Sequence, residues 1–81
     1  MKLVYTEKAV KDYVTLTTKL QALTDKQLDS LIKDLRYPSL HAKKYNQKED
    51  IWQIIINKSY RLYFQIVDDA YVILTITKHP K

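Results

Sequence analysis

The sequence predicts an α+β fold: an antiparallel four-stranded sheet with an N-terminal helical hairpin packed on one face, in the order β-α-α-β-β-β. Three observations predict it. Apolar residues recur at helical spacing between residues 7 and 37. From residue 51 to residue 77 they alternate at strand spacing. The breaks within that second half are short, as expected of antiparallel neighbours. At 81 residues the chain is expected to form one domain, 1–81, with no linker, repeat or low-complexity tract.

Each element has a local reason. Residues 2–5 read as a strand with Leu3 and Tyr5 on one face and Val4 on the other. Thr6 can cap a following helix, and Glu7 then sits against the positive end of the helix dipole. Ala9, Val10, Tyr13, Val14, Leu16, Thr17 and Leu20 form its apolar stripe. The β-branched cluster Val14, Thr15, Thr17 and Thr18 weakens local propensity, so packing must hold this helix. Thr24 followed by Gln27 fits a capping box and predicts that a second helix starts there, with Leu28, Leu31, Ile32 and Leu35 inward. Pro38 ends it by forcing Tyr37 toward an extended conformation.

Residues 37–49 lose all periodicity and read as a polar, basic connection. Residues 51–57, 60–67 and 71–77 are rich in β-branched and aromatic side chains and read as strands of a meander. Alternation places Trp52, Ile54, Ile56, Tyr60, Leu62, Phe64, Ile66, Val72, Leu74 and Ile76 on one face, which the helices must cover. The helical leucines and Ile32 are expected to pack on Leu62, Phe64, Ile66, Val72 and Leu74. The opposite face carries Gln53, Ile55, Arg61, Tyr63, Gln65, Tyr71, Ile73, Thr75 and Thr77, with nothing left to cover it. A ligand is expected there.

Composition narrows what that ligand can be. Lys and Arg number 14 against 9 Asp and Glu, a net charge of +5 that favours a polyanionic partner, though a lysine-coated surface also serves solubility. The only arginines are Arg36 and Arg61. With no cysteine, thiol catalysis, disulfides and cysteine-ligated zinc are excluded. With no glycine, so are phosphate loops of the P-loop and dinucleotide-binding kinds. Neither a membrane span nor a signal peptide is evident, and a cytoplasmic protein is expected. Two histidines do not make a metal site, so no metal or small-molecule cofactor is expected.

Particular words now accompany this pattern. Ile51-Trp52-Gln53 leads into Lys58-Ser59-Tyr60-Arg61-Leu62-Tyr63-Phe64, followed by Tyr71-Val72-Ile73-Leu74 and His79. Together with the Pro38-Ser39-Leu40-His41-Ala42-Lys43-Lys44 stretch, the whole chain resembles the RelE/ParE superfamily of toxins from type II toxin–antitoxin systems. The resemblance implies a RelE-like fold and a small basic toxin silenced by a cognate antitoxin that wraps it. RelE-like members enter the ribosomal A site and cut mRNA as metal-independent endoribonucleases; ParE-like members inhibit DNA gyrase.

The resemblance also implies roles. RNA cleavage without a metal turns the 2′-hydroxyl onto the adjacent phosphate, which needs a proton acceptor, cations and an acid for the departing oxygen. Arg61 carries over as the phosphate-binding cation, being permanently charged and bidentate. His79 matches a C-terminal histidine used as acid or base, and an imidazole pKa of about 6.5 suits either task. Lys43, Lys44 and His41 in the basic loop could hold RNA phosphates, and Tyr63 and Tyr71 could stack on bases. A solvated loop, a surface ion pair for Arg61 and ordinary cross-strand packing are the plain alternatives. One departure matters: RelE-like nucleases usually carry further Lys or Arg where Ile54-Ile55-Ile56 stands here, and Ile55 is the outward slot nearest Arg61. The leading reading is a RelE-like toxin that is a ribosome-dependent mRNA endonuclease or a weakened descendant of one; the alternative is a ParE-like or nuclease-inactive member that binds a target or antitoxin without cutting RNA.

Overall fold

The computed structural model describes residues 1–79. Strand β1 (Lys2–Tyr5) leads into helices α1 (Glu7–Val14) and α2 (Thr18–Lys33). A single 3-10 turn (Pro38–Leu40) precedes β2 (Lys43–Asn46), β3 (Ile51–Ile55), β4 (Tyr60–Val67) and β5 (Ala70–Lys78). Among the described residues no helix is long and apolar enough to cross a membrane.

The α+β class and the packed helices agree with expectation, but the four-stranded antiparallel sheet does not. The sheet has five strands in the order β1-β5-β4-β3-β2. Its first strand runs parallel to its last, with Lys2 opposite Ala70 and Tyr5 opposite Ile73. Alternation marks a strand but carries no information about which way a distant partner runs. The unforeseen strand, β2, occupies the basic connection and pairs antiparallel with β3. Its residues are mostly exposed, so no apolar alternation announces it. An edge strand is held by backbone bonds to one neighbour, and lysine is a usual guard of such edges.

The helices begin where local chemistry and packing agree. The Thr6 hydroxyl accepts from the Ala9 amide at 3.1 Å and donates to the Leu74 carbonyl at 2.9 Å, capping α1 and tying it to β5. The chain breaks at residues 15–17, within the β-branched cluster, and Thr17 rather than Thr24 caps α2 by accepting from the Leu20 amide. The Thr24–Gln27 pair lies inside α2 instead. Thr24 is fully buried and donates to the Leu20 carbonyl, while Gln27 makes tertiary bonds. Packing overrode the capping pattern.

The core lies between the helices and the sheet, built on Leu28, Leu31, Ile54, Leu62, Phe64 and Ile73. Phe64 stacks near Trp52, centroids 6.3 Å apart, and meets Tyr71 edge-on at 5.4 Å. Two expectations fail here. Ile32 is 41% exposed and lies off the core-facing stripe. On β5 the face assignment is inverted over its first half: Tyr71 and Ile73 are buried while Val72 and Leu74 are not. The cause is a bulge. Tyr63 pairs with Thr75 and Phe64 with Ile73, so Leu74 is an extra residue and shifts the alternation by one.

One side chain fastens α1 to the free edge of β5 beyond β1. The Asp12 carboxylate accepts from the Thr75 hydroxyl at 2.6 Å, the Ile76 amide at 3.1 Å and the Lys8 ammonium at 3.0 Å. Burial raises its pKa, but the bonds from Thr75, Lys8 and Ile76 and the charge of Lys8 outweigh this and hold it below the ordinary 3.8. A lowered carboxyl stabilises the fold above its unfolded pKa, and that stability is lost as pH falls through the folded value. Asp12→Ala should therefore cost about 1–2 kcal/mol at neutral pH and much less once the carboxyl is protonated. Urea unfolding at pH 7 and at pH 2.5 checks this; an equal loss at both would remove the carboxylate's role.

Candidate nucleic-acid interface

Strand register decides which side chains share the face away from the core. Ile55 stands opposite Arg61 and Gln53 opposite Tyr63 between β3 and β4. Lys43 stands opposite Gln53, and Arg61 and Tyr63 stand opposite Thr77 and Thr75. Since Leu62 and Phe64 point into the core, this set points the other way.

The turn between β3 and β4 places the arginine. The Asn57 side-chain oxygen accepts from the Ser59 and Tyr60 amides, both at 2.8 Å, which folds the chain back tightly without glycine. The carbonyls so exposed turn toward Arg61. Its Nη1 donates to those of Asn57 at 2.7 Å, Tyr60 at 3.1 Å and Lys58 at 3.3 Å. Among the described residues Arg61 has no carboxylate partner, so the surface ion pair that could have occupied it is not formed. All three bonds use Nη1, so the Nε and Nη2 donors take no part in holding the turn. The Ser59 carbonyl accepts from the His79 amide, so the same turn holds both residues.

A second device places the basic loop. The buried Gln27 amide donates to the Ser39 carbonyl at 3.0 Å and the Ile55 carbonyl at 2.7 Å, joining α2, the 3-10 turn and β3. Leu40 is fully buried, and His41 takes a left-handed conformation with φ 47 and ψ 45. That reversal sends the chain into β2 and leaves His41 exposed.

These supports create a cleft of about 610 Å³ lined by His41, Ala42, Lys43, Tyr45, Gln53, Ile55, Arg61 and His79. None of these is acidic. Lys43, Arg61 and two imidazoles thus share one concave surface, with no carboxylate among its described lining residues. Such a surface can hold a phosphodiester and move a proton beside it. Two histidines are too few to ligate zinc.

Not every expected residue is there. The Lys44 ammonium pairs with Asp50 and lies 5.1 Å from the Trp52 ring centroid, on the helix side of the sheet. Tyr71 is 6% exposed and packs against Phe64, turned inward by the Leu74 bulge. Tyr63 does lie on the open face, its ring 4.8 Å from that of Tyr45. Burial raises the Tyr63 phenol, Tyr45 adds to this and Arg61 opposes it, so the group stays neutral at pH 7. Tyr45 was missed as a lining residue, while Gln53 was placed on this face without a role. The alternation of Lys43 and Tyr45 against Lys44 and Asn46 is the signal that could have found Tyr45.

No family model and no curated protein matches the sequence. Solved structures do. The chain is similar to a YoeB/ParE toxin from Agrobacterium tumefaciens, with a TM-score of 0.84 and 13% identity, covering 99% of this chain and 100% of that one. The YoeB-YefM complex from Staphylococcus aureus gives a TM-score of 0.80 at 16% identity, over 99% of this chain and 98% of that one. The intact E. coli RelBE toxin–antitoxin complex gives 0.75 at 19% identity, with the same coverage. The fold shared with these proteins includes nearly every residue here.

Proposed function

We propose that this chain, whose fold is that of the RelE, ParE and YoeB toxins, is a RelE-like toxin of a type II toxin–antitoxin system that cuts ribosome-bound mRNA with reduced efficiency. The observation that carries this reading is the acid-free cleft gathering His41, Lys43, Arg61 and His79. In it Arg61 neutralises charge growing on the scissile phosphate, already oriented by the turn carbonyls. His79 exchanges a proton with the attacking 2′-hydroxyl or the leaving 5′-oxygen. Lys43 and His41 hold the flanking backbone, and Tyr63 meets a base. Ile55, directly across from Arg61, stands where a second cation would flank the phosphate, and this lowers the rate.

Two of the similar solved structures, E. coli RelBE and S. aureus YoeB-YefM, are toxin–antitoxin complexes, and a cognate antitoxin is the partner proposed for this chain in the cytoplasm. Ile55 also favours a second reading, in which the cleft binds its target without cutting it. Purified chain added to translating ribosomes separates the two. New transcript ends support the nuclease; arrest without new ends supports the binder; neither effect removes both.

The electrostatics give a further expected result. RNA binding should weaken steeply with salt, and Lys43→Ala should reduce the slope of log K against log salt by about 0.7. Lys44→Ala should leave the slope unchanged, because Lys44 points away from the cleft and is paired with Asp50. Titrations of a labelled single strand between 50 and 200 mM salt, roughly the range over which such slopes are resolved, check both.

A further inference from the structure

Beside the cationic cleft lies a second one of about 500 Å³ on the same sheet face, lined in part by Tyr45, Tyr63, Leu74, Thr75 and Thr77. We propose that it is a nucleobase subsite, with Tyr45 and Tyr63 as the stacking platform for the base whose phosphate lies at Arg61. The proposal rests on the RNA reading above and adds to it the place of the base.

Four observations carry it. Tyr45 lines both clefts, so it forms the ridge between the cationic compartment and a more apolar one that Ile51 and Lys78 also line. Tyr63 lies two residues along β4 from Arg61 on the same face, a step of about 6.8 Å. That is the scale on which a nucleotide separates its phosphate from its base. Leu74 is on this face because the β5 bulge ejects it from the core register. An apolar floor results on the side of the sheet that otherwise carries polar groups. Tyr45 is 59% exposed although its ring contacts Tyr63, leaving an aromatic surface in water.

The chemistry selects flat π-systems rather than one base. Stacking is tolerant of sequence because every base has a π-face. The Thr75 hydroxyl gives its hydrogen to Asp12 at 2.6 Å. Thr77 is left to meet the base edge, and one hydroxyl that can donate or accept discriminates weakly among bases.

The test compares a short single-stranded RNA with an abasic ribose-phosphate strand of the same length and label. Both are titrated at low salt against the parent chain, Tyr45→Phe and Tyr45→Ala. Tyr45→Ala should bind the RNA about 5- to 150-fold more weakly, as loss of one stacked base requires. Tyr45→Phe should bind as the parent does, and all three proteins should bind the abasic strand equally. Thermal melting confirms that the exposed edge position tolerates alanine. If Tyr45→Ala binds RNA like the parent, or weakens both strands alike, the subsite is overturned while the cationic cleft stands; the apolar compartment then belongs to a protein side chain. If the parent binds neither strand, the RNA reading fails first.

Discussion

Ile55→Arg should raise cleavage of ribosome-bound mRNA by about 10²–10³-fold, the value of one transition-state contact to a developing charge. Ile55 and Arg61 are register partners on β3 and β4, and both line the acid-free cleft. Opposed side chains on one sheet face have Cβ atoms about 5 Å apart, close enough to grip one phosphate from two sides. The backbone there is fixed independently, because Gln27 holds the Ile55 carbonyl. The added activity should vanish in an Ile55→Arg/Arg61→Ala variant, since a lone cation cannot hold the phosphate in line. Mapping transcript ends in a ribosome assay reads all three proteins. Unchanged cleavage by Ile55→Arg, with the parent already active, would move the chemistry to the loop cations. No cleavage by either would give precedence to binding without cutting.

Phe64→Ala should cost about 3–5 kcal/mol, a large share of the stability of so small a domain. The side chain is fully buried between Trp52 and Tyr71, with leucines of α2 across the core. At about 4–8 °C per kcal/mol, its melting temperature should fall by well over 10 °C. Ile32→Ala offers the contrast: that residue is 41% exposed and should change stability little. Melting of the two variants side by side checks the core. Near-equal values would mean that Phe64 does not anchor it.

The contrast between Phe64 and Ile32 also shows what the sequence could reveal. On β3 and β4 alternation separates Ile54, Leu62 and Phe64 in the core from Ile55, Arg61 and Tyr63 on the other face, although Gln53 on that outer face is itself buried. On β5 the same rule fails at Leu74, because a bulge is set by strand pairing and leaves no local signature. Tyr71 was misplaced for that reason alone. The helix boundary moved from Thr24 to Thr17 because a buried Gln27 serves two distant backbone segments, at Ser39 and Ile55, better than one helix end. β2 stayed hidden because an exposed edge strand needs no apolar period, and with it went Tyr45. Arg61, His41, Lys43 and His79 were legible as chemistry. Their convergence was not, since it depends on two turns fastened by Asn57 and Gln27.

The parallel pairing of β1 with β5 sets when the molecule can finish folding. Thr6 and Leu74, joined by a hydrogen bond, are 68 residues apart, and Lys2 waits for Ala70. The helices and the first hairpin can form early, but β1 has no partner until β5 is available. Closing so long a loop makes this step late and slow compared with the local turns. His79 lies just beyond the same strand, its amide bonded to Ser59. The cationic cleft therefore gains His79 only once β5 has paired with β4, and the long-range closure at β1 completes the sheet around it.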